Sequence, residues 1–130
     1  AGITNVEPHN VAVTADGRDI DLVFDRGNTG GTSALRKANG RGTETAQSVT
    51  LDSILAKLDR CRFLKIDAEG QEHEVLTTTI LLDRCDYLSG EFHINDYLTQ
   101  QGYSIPALYA HCAQVLAPER VSYTSCQMDQ

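Results

Sequence analysis

The segment Leu64-Lys65-Ile66-Asp67-Ala68-Glu69-Gly70-Gln71-Glu72 constrains the fold of this chain more than any other. A short apolar run passes directly into two acids, a glycine and a third acid. Its first half has the composition of a buried strand and its second half that of a helix opening, so Asp67 and Glu69 fall in a strand-to-helix turn. Open α/β sheets bind their ligands at such turns, outside the carboxyl ends of the strands.

The flanking sequence continues the alternation. Residues 62–67 are expected to form the strand, residues 71–82 a helix with Glu72 and Glu74 in its first turn, and residues 86–93 a second strand ending in polar groups. A helix-sized link between two such strands implies a right-handed βαβ unit, with the strands parallel and adjacent. Upstream, residues 49–58 read as a helix: Thr50 is placed to cap it, and Asp52 lies in the first turn, where the dipole favours an acid. Leu51, Ile54, Leu55 and Leu58 share the face expected to pack on the sheet. Downstream, residues 95–101 and 106–117 read as two more helices, the second with Pro106 in its first turn, and residues 121–126 as a last strand. At the start, residues 6–13 and 20–24 read as two short strands around the turn Ala15-Asp16-Gly17-Arg18, a hairpin pattern.

Between Arg26 and Ser48 the composition changes to Gly, Thr, Ser and Asn with little to bury. Apolar burial cannot offset the ordering entropy of such a segment, which predicts a flexible loop over residues 27–48; the sharper reading is a lid over a ligand. The run Gly27 to Thr32 lacks the closing Gly-Lys-Ser/Thr of a P-loop and opens no helix, so it is not read as a phosphate cradle.

With 130 residues, 41% of them hydrophobic, the chain can bury one core, and residues 1–130 are expected to form a single domain. A net charge of -7 with scattered Lys and Arg argues against a nucleic-acid partner, because phosphates would be repelled. No apolar run approaches the roughly 20 residues needed to span a bilayer and no signal peptide opens the chain, so a soluble, cytoplasmic protein without a membrane partner is expected. Cys61, Cys85, Cys112 and Cys126 show no metal-site spacing and read as reduced, mostly buried thiols. The chain opens Ala1-Gly2-Ile3 without Met, which reads as a processed, trimmed or incomplete piece of something longer.

On the α/β reading, Asp67, Glu69, Glu91 and His93 gather at the carboxyl ends of neighbouring strands. Plainer roles compete. Asp67 or Glu69 can equally cap the helix that starts at Gly70, and Glu72 and Glu74 read as surface acids offsetting the helix dipole. His73, between them, reads as solvated, and spacing gives His9 and His111 no partner.

The segments at residues 49–55, 63–76 and 90–93, the last being Gly90-Glu91-Phe92-His93, together resemble the central and C-terminal part of the FkbM-type methyltransferases. There a Thr-Leu-Asp-Ser helix precedes a Lys-Ile-Asp-x-Glu-Gly-x-Glu turn, and a strand ending in Glu-x-His follows. Residues 9–14 are similar to the strand before a variable Gly- and Ser-rich loop in that family. The resemblance implies an α/β, Rossmann-like three-layer sheet with mostly parallel strands, an incomplete class I methyltransferase fold. It also implies an enzyme that uses S-adenosylmethionine to methylate a hydroxyl of a small-molecule acceptor. By position, Asp67 and Glu69 face the methyl donor and acceptor, Asn10 and Ala12 lie near the adenine end, and Glu91 and His93 border the acceptor pocket. Asp67 or His93 is the implied general base.

The family's Gly-rich turn and ribose-binding acid would precede Ala1, so the chain is expected to be a fragment with weak or no activity alone. A metal-binding hydrolase using Asp67, Glu69, Glu91 and His93, or a non-catalytic interaction module, are the alternatives. An open sheet edge where further strands belong would favour a homodimer through that edge.

Overall fold

A computed structural model describes residues 2–25, 28–33 and 42–122. The element that anchors it is the pair of parallel strands β6 (Cys61–Ile66) and β7 (Cys85–Gly90), joined through helix α2 (Glu72–Thr78) and a short 3-10 turn at Leu82–Arg84. The predicted βαβ unit is therefore present, with its strands adjacent and in register from Cys61 opposite Cys85 to Ile66 opposite Gly90. Strand β8 (Val121–Ser122) adds to β7 in parallel. Residues 123–126 of the expected last strand, Cys126 included, lie outside the described residues.

Helix α4 (Ile105–Leu116) supplies most of the packing against this sheet. Leu108, Cys112 and Leu116 recur every four residues, so they form one stripe, and all three are buried. They meet Leu88, Val121, Val75, Leu76 and Leu82 in one core, to which helix α1 (Leu51–Leu55) adds Leu51 and Leu55. Thr50 caps α1 as expected, accepting from the Ser53 amide at 3.1 Å. The predicted apolar face is only half used: Leu51 and Leu55 are buried, whereas Ile54 and, beyond the end of α1, Leu58 are exposed. On the other side of the sheet Phe63 and Tyr87, paired in register, are both exposed.

Helix α2 ends at Thr78 and not at Leu82. Thr77, Thr78 and Thr79 turn their hydroxyls back onto the carbonyls of His73, Glu74 and Val75. Asp52 then takes the next two amides, Ile80 at 3.2 Å and Leu81 at 3.0 Å. A β-branched run that bonds its own backbone, followed by an outside acceptor for the chain, stops the helix.

The N-terminal half departs further from expectation. Strand β1 (Ala12–Thr14) does not form a hairpin with β2 (Ile20–Asp25); it pairs in parallel with β5 (Ser48–Thr50), and buried Thr14 bonds Ser48 at 2.7 Å. Strand β2 instead lies between β3 (Asn28–Ser33) and β4 (Gly42–Ala46) in an antiparallel sheet. The loop reading of residues 27–48 is corrected at these strands, where backbone pairing to β2 supplies order that apolar burial could not; residues 27 and 34–41 of that stretch lie outside the described residues. In place of one continuous sheet, the described residues form three small ones, two parallel and one antiparallel.

Candidate functional site

The turn between β6 and α2 has an unusual backbone. Glu69 sits in the left-handed region at φ 50° and Gly70 follows at φ 110°. Only glycine takes the second value readily, and a non-glycine residue at the first is held there by its surroundings. Those surroundings are supplied by Glu72. Its carboxylate is fully buried and accepts from the Ala68 amide at 2.6 Å through Oε1 and from the Gly70 amide at 2.9 Å through Oε2. Helix α2 has Gln71 as its N-terminal cap residue without a side-chain capping bond, and Glu72 reaches back to do that work.

The same Glu72 Oε1 lies 3.1 Å from Nδ1 of His93. With both carboxylate oxygens already accepting backbone N–H groups, Nδ1 is the donor in this contact, and Nε2 is left as the basic nitrogen. Nε2 lies 4.0 Å from Oε2 of Glu69. Asp67, Glu69 and His93 each offer one ligand atom such that all three lie within 4.8 Å of one another. The main chain of His93 is pinned as well, because Nε2 of His73 lies 2.8 Å from its carbonyl oxygen and donates to it.

Strand pairing brings these groups together. The end of β7 presses on the end of β6, with the Glu91 amide donating to the Ile66 carbonyl at 3.1 Å. A Cβ on Gly90 would overlap that carbonyl oxygen, so no larger residue fits there. The chain leaving β7 is thereby set beside the turn leaving β6.

Three of the four predicted strand-end groups thus converge. Glu91 does not: it is exposed and stands outside the cluster of Asp67, Glu69 and His93. Nor does the cluster include Asn10, exposed just ahead of β1, or Ala12, whose amide bonds the Gln47 carbonyl at 2.8 Å. The reading of Glu72 and His73 as surface residues is overturned, since both are buried. Glu74 is half-buried in a two-pronged ion pair with Arg18 at 3.0 and 3.1 Å. His111 lies 3.2 Å from the Leu76 carbonyl and His9 3.2 Å from Glu7. One sequence signal pointed to Glu72: an acid two residues after a glycine, in the first turn of a helix, is placed to reach back to the amides before it, as in a capping box.

Cys61, Cys85 and Cys112 are free thiols, as expected. Burial pushes the Cys85 thiol up to about 12, with Cys61 adding to the effect, and the Cys112 thiol up to about 11. Neither is suited to be a nucleophile.

A histidine and two acids thus stand at the carboxyl end of helix-linked parallel strands, the position where open α/β sheets bind their ligands. The chain belongs to the FkbM methyltransferase family: the family model described as the methyltransferase FkbM domain matches residues 2–105. No curated protein and no solved structure matches the chain. Among the described residues no helix is long and apolar enough to cross a membrane.

Proposed function

We propose that this chain carries the acceptor end of an S-adenosylmethionine-dependent methyltransferase that methylates a hydroxyl, with His93 as the general base. The observation that carries this reading is the 3.1 Å contact between His93 Nδ1 and buried Glu72, which leaves Nε2 basic and directed at the acids of the turn. Membership of the methyltransferase family supports the same class of reaction.

The donor set fits a sulfonium cofactor, because Asp67 and Glu69 place two carboxylates where a cation would be favoured. Asp67 would hold it, with Asn10 and Ala12 toward its adenine end. S-adenosylmethionine, when bound, supplies an electrophilic methyl group. His93 Nε2 takes the proton of the acceptor hydroxyl. The imidazolium so formed is stabilised through Nδ1–H by Glu72 and by the Glu69 carboxylate on the other side. Glu69 and His93 orient the acceptor oxygen.

The test is transfer of a labelled methyl group from S-adenosylmethionine to small alcohols and polyols. Label is expected on oxygen, and His93→Gln should lower kcat by about 10² to 10⁴, the usual contribution of a positioned base. Label on nitrogen, or an unchanged rate in His93→Gln, would contradict the assignment.

A second reading has its own observation. Asp67, Glu69 and His93 are a two-carboxylate, one-imidazole set, and a ligating histidine characteristically donates its other N–H to a carboxylate, as His93 does to Glu72. A metal-assisted hydrolysis would use these groups as ligands. A rise in melting temperature with manganese or zinc that Asp67→Asn abolishes would favour it over the base role.

A further inference from the structure

Beside the turn, and sharing Gly70 with it, lies a cavity of about 200 Å³ whose walls include Arg18, Gln71, Glu74, Tyr97 and Tyr103. Gln71 is buried at 8% exposure, and among the described residues its Oε1 is the buried side-chain atom that has no hydrogen-bond partner. Leaving such an acceptor unsatisfied is costly, so a native structure that keeps one is expected to meet it with a donor from outside the chain.

The other walls restrict what that donor belongs to. Arg18 is already committed: it donates to Asp16 at 2.9 Å and to both oxygens of Glu74, and these bonds, the Glu74 contact foremost, hold its guanidinium firmly charged. Its position is fixed from behind by Ser48, whose hydroxyl donates to the Arg18 carbonyl at 2.6 Å. On the wall itself Arg18 is matched by Glu74, so the lining carries no net charge and its cation is already paired, which gives a phosphate or carboxylate little to bind. The two tyrosines supply aromatic surface. Tyr103 is stacked at a tilt against His73, with ring centroids 5.2 Å apart, and His73 holds the His93 carbonyl. The volume lies below the roughly 300 Å³ at which drug-sized pockets begin, so a single ring or a short chain fits, not a larger ligand.

We infer that this cavity binds a neutral polyhydroxylated group of the acceptor, a sugar ring or a linear polyol, with one of its hydroxyls donating to Gln71 Oε1. The inference rests on the reading of the adjoining turn as the acceptor end of a methyltransferase, and it names the class of acceptor. Aromatic rings take the carbon face of the ring while Gln71 and the Glu74 carboxylate take its hydroxyls.

Amide NMR of the chain, titrated in turn with methyl β-glucoside, myo-inositol and inorganic phosphate, tests this without turnover. The neutral polyols should shift Gly70, Gln71, Tyr97 and Tyr103, and Gln71→Leu should weaken that binding about tenfold, as loss of one hydrogen bond to a buried acceptor implies. Tyr97→Ala, at an exposed position, should also weaken it and serves if Gln71→Leu does not fold. In His93→Gln, which should lose methyl transfer, the polyols should still shift Tyr97 and Tyr103, so a failure of the catalytic reading is seen separately from a failure of the cavity. Shifts with phosphate but not with the polyols, no shifts at all, or unchanged affinity in both cavity variants would overturn the inference.

Discussion

The turn after β6 and the antiparallel sheet β2–β3–β4 are both rich in polar residues, yet they are ordered by different means. In the turn, Glu72 and His73 are buried and spend their hydrogen bonds on backbone amides, the His93 carbonyl and the His93 ring. In the sheet, order comes from the ladder of β2 with β4, and the polar side chains of β4 face solvent: Thr43, Glu44 and Thr45 are exposed, while Val23 of β2 is buried. A backbone ladder tolerates almost any exposed side chain. A buried carboxylate with three donors tolerates almost no change, and that difference separates a turn held by one buried side chain from a sheet held by its backbone.

Glu72→Ala should show the largest effect. It strips acceptors from the Ala68 and Gly70 amides and from His93 together, and breaking such a buried charged group costs about 3 to 5 kcal/mol, measured by chemical denaturation. Gly90→Ala should come next, at about 1 to 3 kcal/mol, because the new methyl overlaps the Ile66 carbonyl and must push β6 and β7 apart. In the sheet, Val23→Ala should cost about 1.6 kcal/mol for two buried methyl-sized groups, while Thr45→Ala, which loses an exposed bond to Asp21, should stay within about 0.5 kcal/mol. If Thr45→Ala proved as damaging as Glu72→Ala, the contrast between the two regions would be wrong.

The smallest effect is a surface one. The hydrogen bond from Arg60 holds the Asp86 carboxyl below its ordinary value, with Arg62 adding to it. A folded pKa below the unfolded one stabilises above the unfolded value, and that contribution is lost as pH falls through the folded value. Asp86→Asn should therefore be slightly less stable than the parent at neutral pH and indistinguishable from it in acid. Denaturation at two pH values checks this, and a gap that persisted in acid would contradict the cause given.

The parallel β6–β7 pair was legible in the sequence because two apolar runs and a helix-length link allow few other arrangements. Thr50 and Pro106 were legible as helix-opening residues, since capping and first-turn preferences are local. The role of Glu72 was not. An acid in a first helical turn looks the same whether it faces water or folds back, and its partner His93 is 21 residues away. Strands β3 and β4 were hidden for a related reason: Gly- and Thr-rich text has no apolar period, and what orders it is a neighbour, β2. The β1–β5 pairing likewise joins residues more than thirty apart, beyond any local signal.

Buried Glu72 fixes His93 with its proton on Nδ1 and leaves Nε2 without one. Nitrogen-15 NMR of the histidine ring at a pH above its titration measures this directly, through the distinct shifts of protonated and bare ring nitrogens. The account predicts a protonated Nδ1 and a bare Nε2 in the parent chain, with the preference lost in Glu72→Gln. A His93 ring carrying its proton on Nε2 in the parent, or a preference unchanged in Glu72→Gln, would contradict it.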